Sequence, residues 1–241
     1  MMKLILILLC LTQAIFAGES GRVGNGGGVL FCENKEPVLL DIYESQFYEI
    51  HTFENLKLIS LNERKQLLEK RVNSFSPAFH ALLRDLRKHF YKKVNFLDVS
   101  SFKIPDDFNN LFYESSCELK VVAVQRKPLL AFDNIFFINK VLWEKSGEFT
   151  QEGLIDHELL YLIALIRGAE NSKQAREFLA FLLSDSFLTS SVKDVEVMFI
   201  KNILRQGYVD NIDDQDRERF YTNVCESLKK NYFFKCPEYI R

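Results

Sequence analysis

The chain has 241 residues, a formal net charge of −2 and 47% hydrophobic residues. So even a charge balance excludes a global field that would draw the molecule to nucleic acid, and the length suits one sizeable domain or two small lobes. Twenty-two Phe stand against a single Trp, which predicts a core that packs well but offers few polar handles to a ligand.

Lys3, the apolar run over 4–16 and Ala17 ahead of Gly18-Glu19-Ser20 have the layout of a cleavable secretory signal over residues 1–17. The run is too short to cross a bilayer core of about 30 Å as a stable helix. Leu9, before Cys10, is too large for a typical lipoprotein cleavage site. The expectation is an exported protein, periplasmic or extracellular, with no transmembrane helix in the mature chain. Removal of the signal leaves Cys32, Cys117, Cys225 and Cys236, and an even count in an exported chain reads as two disulfides. Cys225 and Cys236 are neighbours, so local pairing is simplest and leaves Cys32 with Cys117. Each bridge should add roughly 2–4 kcal/mol. A structural zinc cluster would need a CxxC spacing that no pair shows.

Residues 18–28 hold six of the ten glycines and read as a flexible leader to a single domain over 29–241. A phosphate-cradling glycine loop follows a strand and opens a helix. Here the strand-like segment 29–32 comes after the glycines, which speaks against a nucleotide site. Pro37 opens a segment, 38–48, patterned for a helix. Ser60 and Glu63 form a capping box ahead of 64–72, and Ser76-Pro77 starts another helix. On that helix Phe79, Leu82, Leu83, Leu86 and Phe90 make an apolar face, while His80, Arg84, Arg87, Lys88 and Tyr91 make a stripe opposite. Residues 95–99, 119–125 and 129–138 read as strands. From Asn139 onward the pattern is helical, over 139–145, 151–168, 172–185, 191–205 and 216–231. The expected fold class is α+β: a small antiparallel sheet in the amino-terminal and middle part, with a mainly helical carboxy-terminal half.

One constellation bears on chemistry, Asp156-His157-Glu158-Leu159-Leu160-Tyr161. His157 and Tyr161 are four apart on a helix and share a face with Gly153, Ala164 and Gly168. Glu158 points about 100° away. With the strand-like Ile135-Phe136-Phe137-Ile138-Asn139 and the turn at Leu142-Trp143, this stretch resembles the zincin metallopeptidases over residues 129–168. That resemblance implies a zinc ion, with His157 as metal ligand and Glu158 as the base that activates a metal-bound water. Tyr161 stands where the family has its second histidine ligand, and a phenol is a poorer zinc ligand than imidazole. Glu170, Glu177, Asp185 and Glu196 lack diagnostic spacing for a third ligand. The glycine-rich GNGG start, the LLDIYE segment and the HExxY helix also resemble an uncharacterised group of exported bacterial proteins, a likeness that implies no activity.

Other features read as solvated surface. Asp106-Asp107 and Asp213-Asp214 lie in polar stretches, and no GxSxG serine-hydrolase motif occurs. Residues 62–93 carry a surplus of Lys and Arg, and 209–218 a surplus of acids. The Arg84, Arg87, Lys88 stripe is a candidate contact for an anionic envelope polymer or lipid. The expected function is a non-catalytic binding or structural module of the bacterial envelope, without a cofactor and with His157 and Tyr161 as candidate binding residues. The alternative is a zinc-dependent hydrolase with Glu158 catalytic.

Overall fold

The computed structural model describes residues 26–54, 60–103, 112–204 and 214–236. The expected secretory signal over 1–17, most of the expected glycine leader, Asp106-Asp107 and Asp213 lie outside the described residues.

Local signals place most of the helices. Ser60 accepts a hydrogen bond from the Glu63 amide and its own amide donates to the Glu63 carboxylate at 2.9 Å, so the capping box forms and α2 runs Leu61–Phe75. Ser76 caps α3, Pro77–Lys93, with proline in the first position. The remaining helices are α1 (Leu40–Phe47), α4 (Lys140–Lys145), α5 (Gly147–Ile166), α6 (Lys173–Leu182), α7 (Asp185–Thr189), α8 (Val192–Phe199) and α9 (Asp214–Tyr232). A π-helical turn, Ile200–Leu204, extends α8. Helix α5 ends in a Schellman motif: Gly168 adopts φ +92°, its amide donates to the Leu165 carbonyl, and the Ala169 amide donates to Ala164 at 2.9 Å.

The class is α+β, with a mainly helical carboxy-terminal half. The strands divide into two three-stranded sheets. In the first, β1 (Gly28–Cys32) pairs antiparallel with β2 (Val38–Leu39) and with β4 (Cys117–Val121). In the second, β6 (Phe136–Asn139) pairs parallel with β3 (Val94–Leu97) and antiparallel with β5 (Ala123–Gln125). The expected continuous strand 119–125 is therefore broken at Val122, whose amide donates to the Gly27 carbonyl while its own carbonyl accepts from the Asn139 amide. The expected strand 129–138 is a strand only in its last part. Residues 126–135 form the loop between β5 and β6, because the Asp133 side chain accepts from the amides of Leu129 and Leu130 and turns the chain.

Both cysteine pairs stand as expected. Cys32 and Cys117 are directly opposite on β1 and β4, with Cα atoms 3.9 Å apart. Cys225 on α9 is bonded to Cys236, with a Cα separation of 5.7 Å. The main core lies among α3, α5, α6, α8 and α9, where Phe79, Phe178, Phe199 and Phe220 stack in contact, the closest ring centroids being 4.5 Å apart. A smaller cluster of Leu30, Leu40, Leu119, Val121 and Val124 lies against the first sheet.

Candidate functional site

Helix α5 is buried over most of its second half, while Gln151, Glu152 and Asp156 lie on a part-exposed side. His157 and Glu158 fall on the enclosed sides and are both 0% exposed. Tyr161 is buried beside them, its ring centroid 6.2 Å from that of His157.

His157 faces α1. Its Nδ1 lies 2.9 Å from Oδ1 of Asp41, a carboxylate in the first turn of α1 that is itself buried. Burial pushes the imidazole toward its neutral form. The Asp41 carboxylate and its hydrogen bond outweigh that, and Glu158 adds to them, so the pKa sits above the usual 6.5. The contact is a hydrogen bond between the imidazole and the Asp41 carboxyl group that favours the charged form of the ring.

Glu158 leaves the helix in a different direction and meets the start of β1. The Gly27 amide donates to Oε1 at 2.8 Å, and the Gln125 side-chain amide donates to the Glu158 main-chain carbonyl at 2.5 Å. Burial raises the carboxyl pKa above the usual 4.5, against the opposing pull of His157 and the hydrogen bonds from Gln125 and Gly27. A second ion pair adjoins. Arg176 of α6 donates from Nε to Glu44 of α1 at 2.6 Å, and from Nη1 to Ser172 Oγ at 2.6 Å. Asp41 thus ties α1 to α5, and Glu44 ties it to α6.

The glycines at this junction are set by space. A Cβ at Gly27 would stand 2.6 Å from Cδ2 of Leu154 and 3.1 Å from Oε1 of Glu158, and one at Gly26 would stand 1.7 Å from the Ala123 carbonyl oxygen. The Gly27 carbonyl accepts from Val122 at 2.9 Å and from Ala123 at 3.3 Å. Gly26, Gly27 and Gly28 are buried. The end of the glycine run is therefore part of the packed body rather than of a flexible leader reaching to residue 28. The other small residues have three separate roles. Gly153 admits Leu39, whose Cδ2 would be 2.9 Å from a Cβ there; Ala164 is core, and Gly168 is the helix cap.

Five atoms of this cluster are buried without a hydrogen-bond partner: Asp41 Oδ2, Ser45 Oγ, Gln125 Oε1, His157 Nε2 and Glu158 Oε2. They leave the cluster short of hydrogen-bond partners. As a donor set it does not complete a zinc site. The Asp41 contact at Nδ1 would leave Nε2 of His157 open to a metal, but Glu158 diverges toward Gly27, and a buried phenol occupies the place of a second imidazole. Among the described residues, no three His, Cys, Asp or Glu side chains could hold a metal ion together. What the arrangement does chemically is raise the proton affinity of His157 and Glu158 while linking α1, α5 and the start of β1.

The sequence singled out His157, Glu158 and Tyr161 but missed Asp41, Gln125 and Gly27. Asp41 carried a signal, since a lone acid among Leu39, Leu40 and Ile42 on an apolar face requires a buried partner. Gly27 carried none beyond its residue type.

The basic stripe does not survive intact. Arg84 and Lys88 are exposed and flank Asp85, but Arg87 turns inward to the carboxylates of Glu152 and Asp156 on α5. Lys65 joins the same group through Glu152 at 2.8 Å. Beside it, Arg64 is buried with its guanidinium 3.6 Å from the centre of the Phe149 ring, and burial lowers its pKa to about 10 against the pull of Asp156. No family model, curated protein or solved structure matches this chain.

Proposed function

We propose that the chain is an exported protein of the bacterial envelope that acts as a non-catalytic binding or structural module. One observation carries this reading. The side chains able to do chemistry on α5 are engaged in holding elements together, His157 on Asp41 and Glu158 on Gly27, with both enclosed by the core. A general base must reach the proton it abstracts, and a carboxyl group hydrogen-bonded to the Gly27 amide inside the core has a structural occupation. The two disulfides and the absence of a described helix long and apolar enough to cross a membrane are in keeping with export.

The test is elemental analysis of the purified protein, joined to thermal unfolding with and without chelator. The expected outcome is no stoichiometric zinc, no chelator effect, and a clear loss of stability in His157→Ala. Stoichiometric zinc that disappears in His157→Ala, together with a parent destabilised by chelator, would overturn the module reading in favour of a metal-dependent hydrolase.

A further inference from the structure

The loop over 126–135, between β5 and β6, presents Leu129, Leu130 and Phe132 to solvent at 86%, 52% and 80% exposure. Single exposed apolar residues are ordinary. Three within four positions on one turn form a patch that marks an interaction surface.

The loop is held in shape by its own polar groups. The amides of Leu129 and Leu130 donate to Oδ2 of Asp133 at 2.9 and 2.8 Å, and the Asp133 amide donates to the Leu130 carbonyl at 3.0 Å. Nζ of Lys93, at the end of α3, donates to the carbonyls of Ala131 and Asp133. Pro128 has no amide to donate and is buried. At its base the Arg126 amide donates to the Ile135 carbonyl. The amides of Leu129, Leu130 and Asp133 and the carbonyls of Leu130, Ala131 and Asp133 are thus bonded internally, while Leu129, Leu130 and Phe132 are exposed. Internal bonding of this kind lowers the cost of bringing a backbone into an apolar medium, where unpartnered N–H and C=O groups are unfavourable.

Charge supplies the second half. Arg126 and Lys127 enter the loop exposed, and exposed Lys92 adjoins Lys93. The loop's one acid, Asp133, is committed to its own backbone amides. Cations at the base of an apolar tip match the layering of a bilayer whose phosphate headgroups carry negative charge and whose interior is hydrocarbon. We propose that the 126–135 loop is a membrane-docking element, inserting Leu129, Leu130 and Phe132 beneath an anionic phospholipid surface while Lys92, Arg126 and Lys127 meet the headgroups. The proposal stands independently of the module reading, since it uses no residue of the α5 cluster.

The experiment is co-sedimentation with vesicles of phosphatidylglycerol mixed with phosphatidylcholine, against vesicles of phosphatidylcholine alone. The parent is expected to sediment with the anionic vesicles and at least tenfold less with the neutral ones, and inorganic phosphate is expected not to compete. Leu129→Ser with Phe132→Ser changes only exposed side chains and is expected to lower partitioning at least tenfold at an unchanged melting temperature. Lys127→Glu should weaken binding and reduce its salt dependence. Phe132→Trp, in a Trp143→Phe background, should shift its emission to the blue on adding anionic vesicles. Failure of the parent to bind anionic vesicles, binding by the double Ser variant equal to the parent's, or an unshifted emission from the vesicle-bound Phe132→Trp variant would each overturn the proposal. So would a concentration-dependent dimer that the double Ser variant abolishes and vesicles leave intact, which would make the loop a self-association surface.

Discussion

Glu158 separates a structural carboxyl from a catalytic one by a single atom. Burial raises its pKa above the usual 4.5, so ionising it costs more in the folded than in the unfolded chain, and glutamine keeps an oxygen for the Gly27 amide while needing no charge. Glu158→Gln is therefore expected to be as stable as the parent at neutral pH or slightly more so, whereas Glu158→Ala leaves that amide unpartnered beside a cavity and should lose about 2–4 kcal/mol in chemical denaturation. A glutamine variant as damaged as the alanine one would contradict this account. His157 gives a matching pH signature. Its folded pKa is raised above 6.5, so its stabilising contribution is fully present below 6.5 and is lost as pH rises through the folded value. Melting temperatures from pH 6 to 9 should fall more steeply for the parent than for His157→Gln, and parallel slopes would rule the pairing out. The sequence made His157 and Glu158 visible because they interrupt an apolar helix. It did not reveal what they touch, because Asp41 and Gly27 lie more than a hundred residues earlier and only the fold brings them to α5.

At the scale of elements, the legible features were those written in adjacent residues. The Ser60/Glu63 box and Ser76-Pro77 each satisfy amides within four positions, so α2 and α3 could be placed without any tertiary information. Strand boundaries were less legible. Val122 breaks the strand-like segment 119–125 because Gly27, just ahead of β1, offers it a carbonyl, and Asp133 converts a strand-like run into a loop through a side-chain bond that hydropathy does not register. The meeting of β1, β5 and α5 yields a prediction of its own. At Gly26 an added Cβ meets a main-chain oxygen, which cannot swing aside, while at Gly27 the nearest atom is the end of a leucine side chain. Gly26→Ala should therefore be the more damaging, by about 3 kcal/mol or more, with Gly27→Ala nearer 1–2 kcal/mol as Leu154 yields. Urea titration of the two variants checks the order, and equal or inverted losses would show that the junction relaxes.

For the whole molecule, the two cross-links differ in how much chain they close. Cys32–Cys117 closes a sequence separation of 85 and Cys225–Cys236 one of 11. By loop-closure entropy the first stabilises by about 4.5 kcal/mol and the second by about 3 kcal/mol. Replacing each pair by alanine should lower the denaturant midpoint more for the β1–β4 pair, and non-reducing peptide mapping of the parent should recover both cross-linked peptides. A larger loss on removing the α9 pair would mean that the carboxy-terminal segment holds the core more tightly than chain entropy allows. The α+β class and both pairings were legible from composition and cysteine spacing. The division into two sheets was not, since it depends on where β1 is admitted between its two partners.

That admission also sets an order in time. Strand β1 is made early, yet its partner β4 begins at Cys117, and the Gly27 carbonyl must wait for Val122 and Ala123. At typical elongation rates the delay is on the order of ten seconds. Throughout it the Gly28–Cys32 strand has at most two residues of β2 to pair with, and the Cys32 thiol has no native partner. A nascent chain halted before residue 117 should therefore carry a reactive thiol at Cys32 and a protease-sensitive amino-terminal segment, and both should vanish together once β4 and the Val122 junction have emerged.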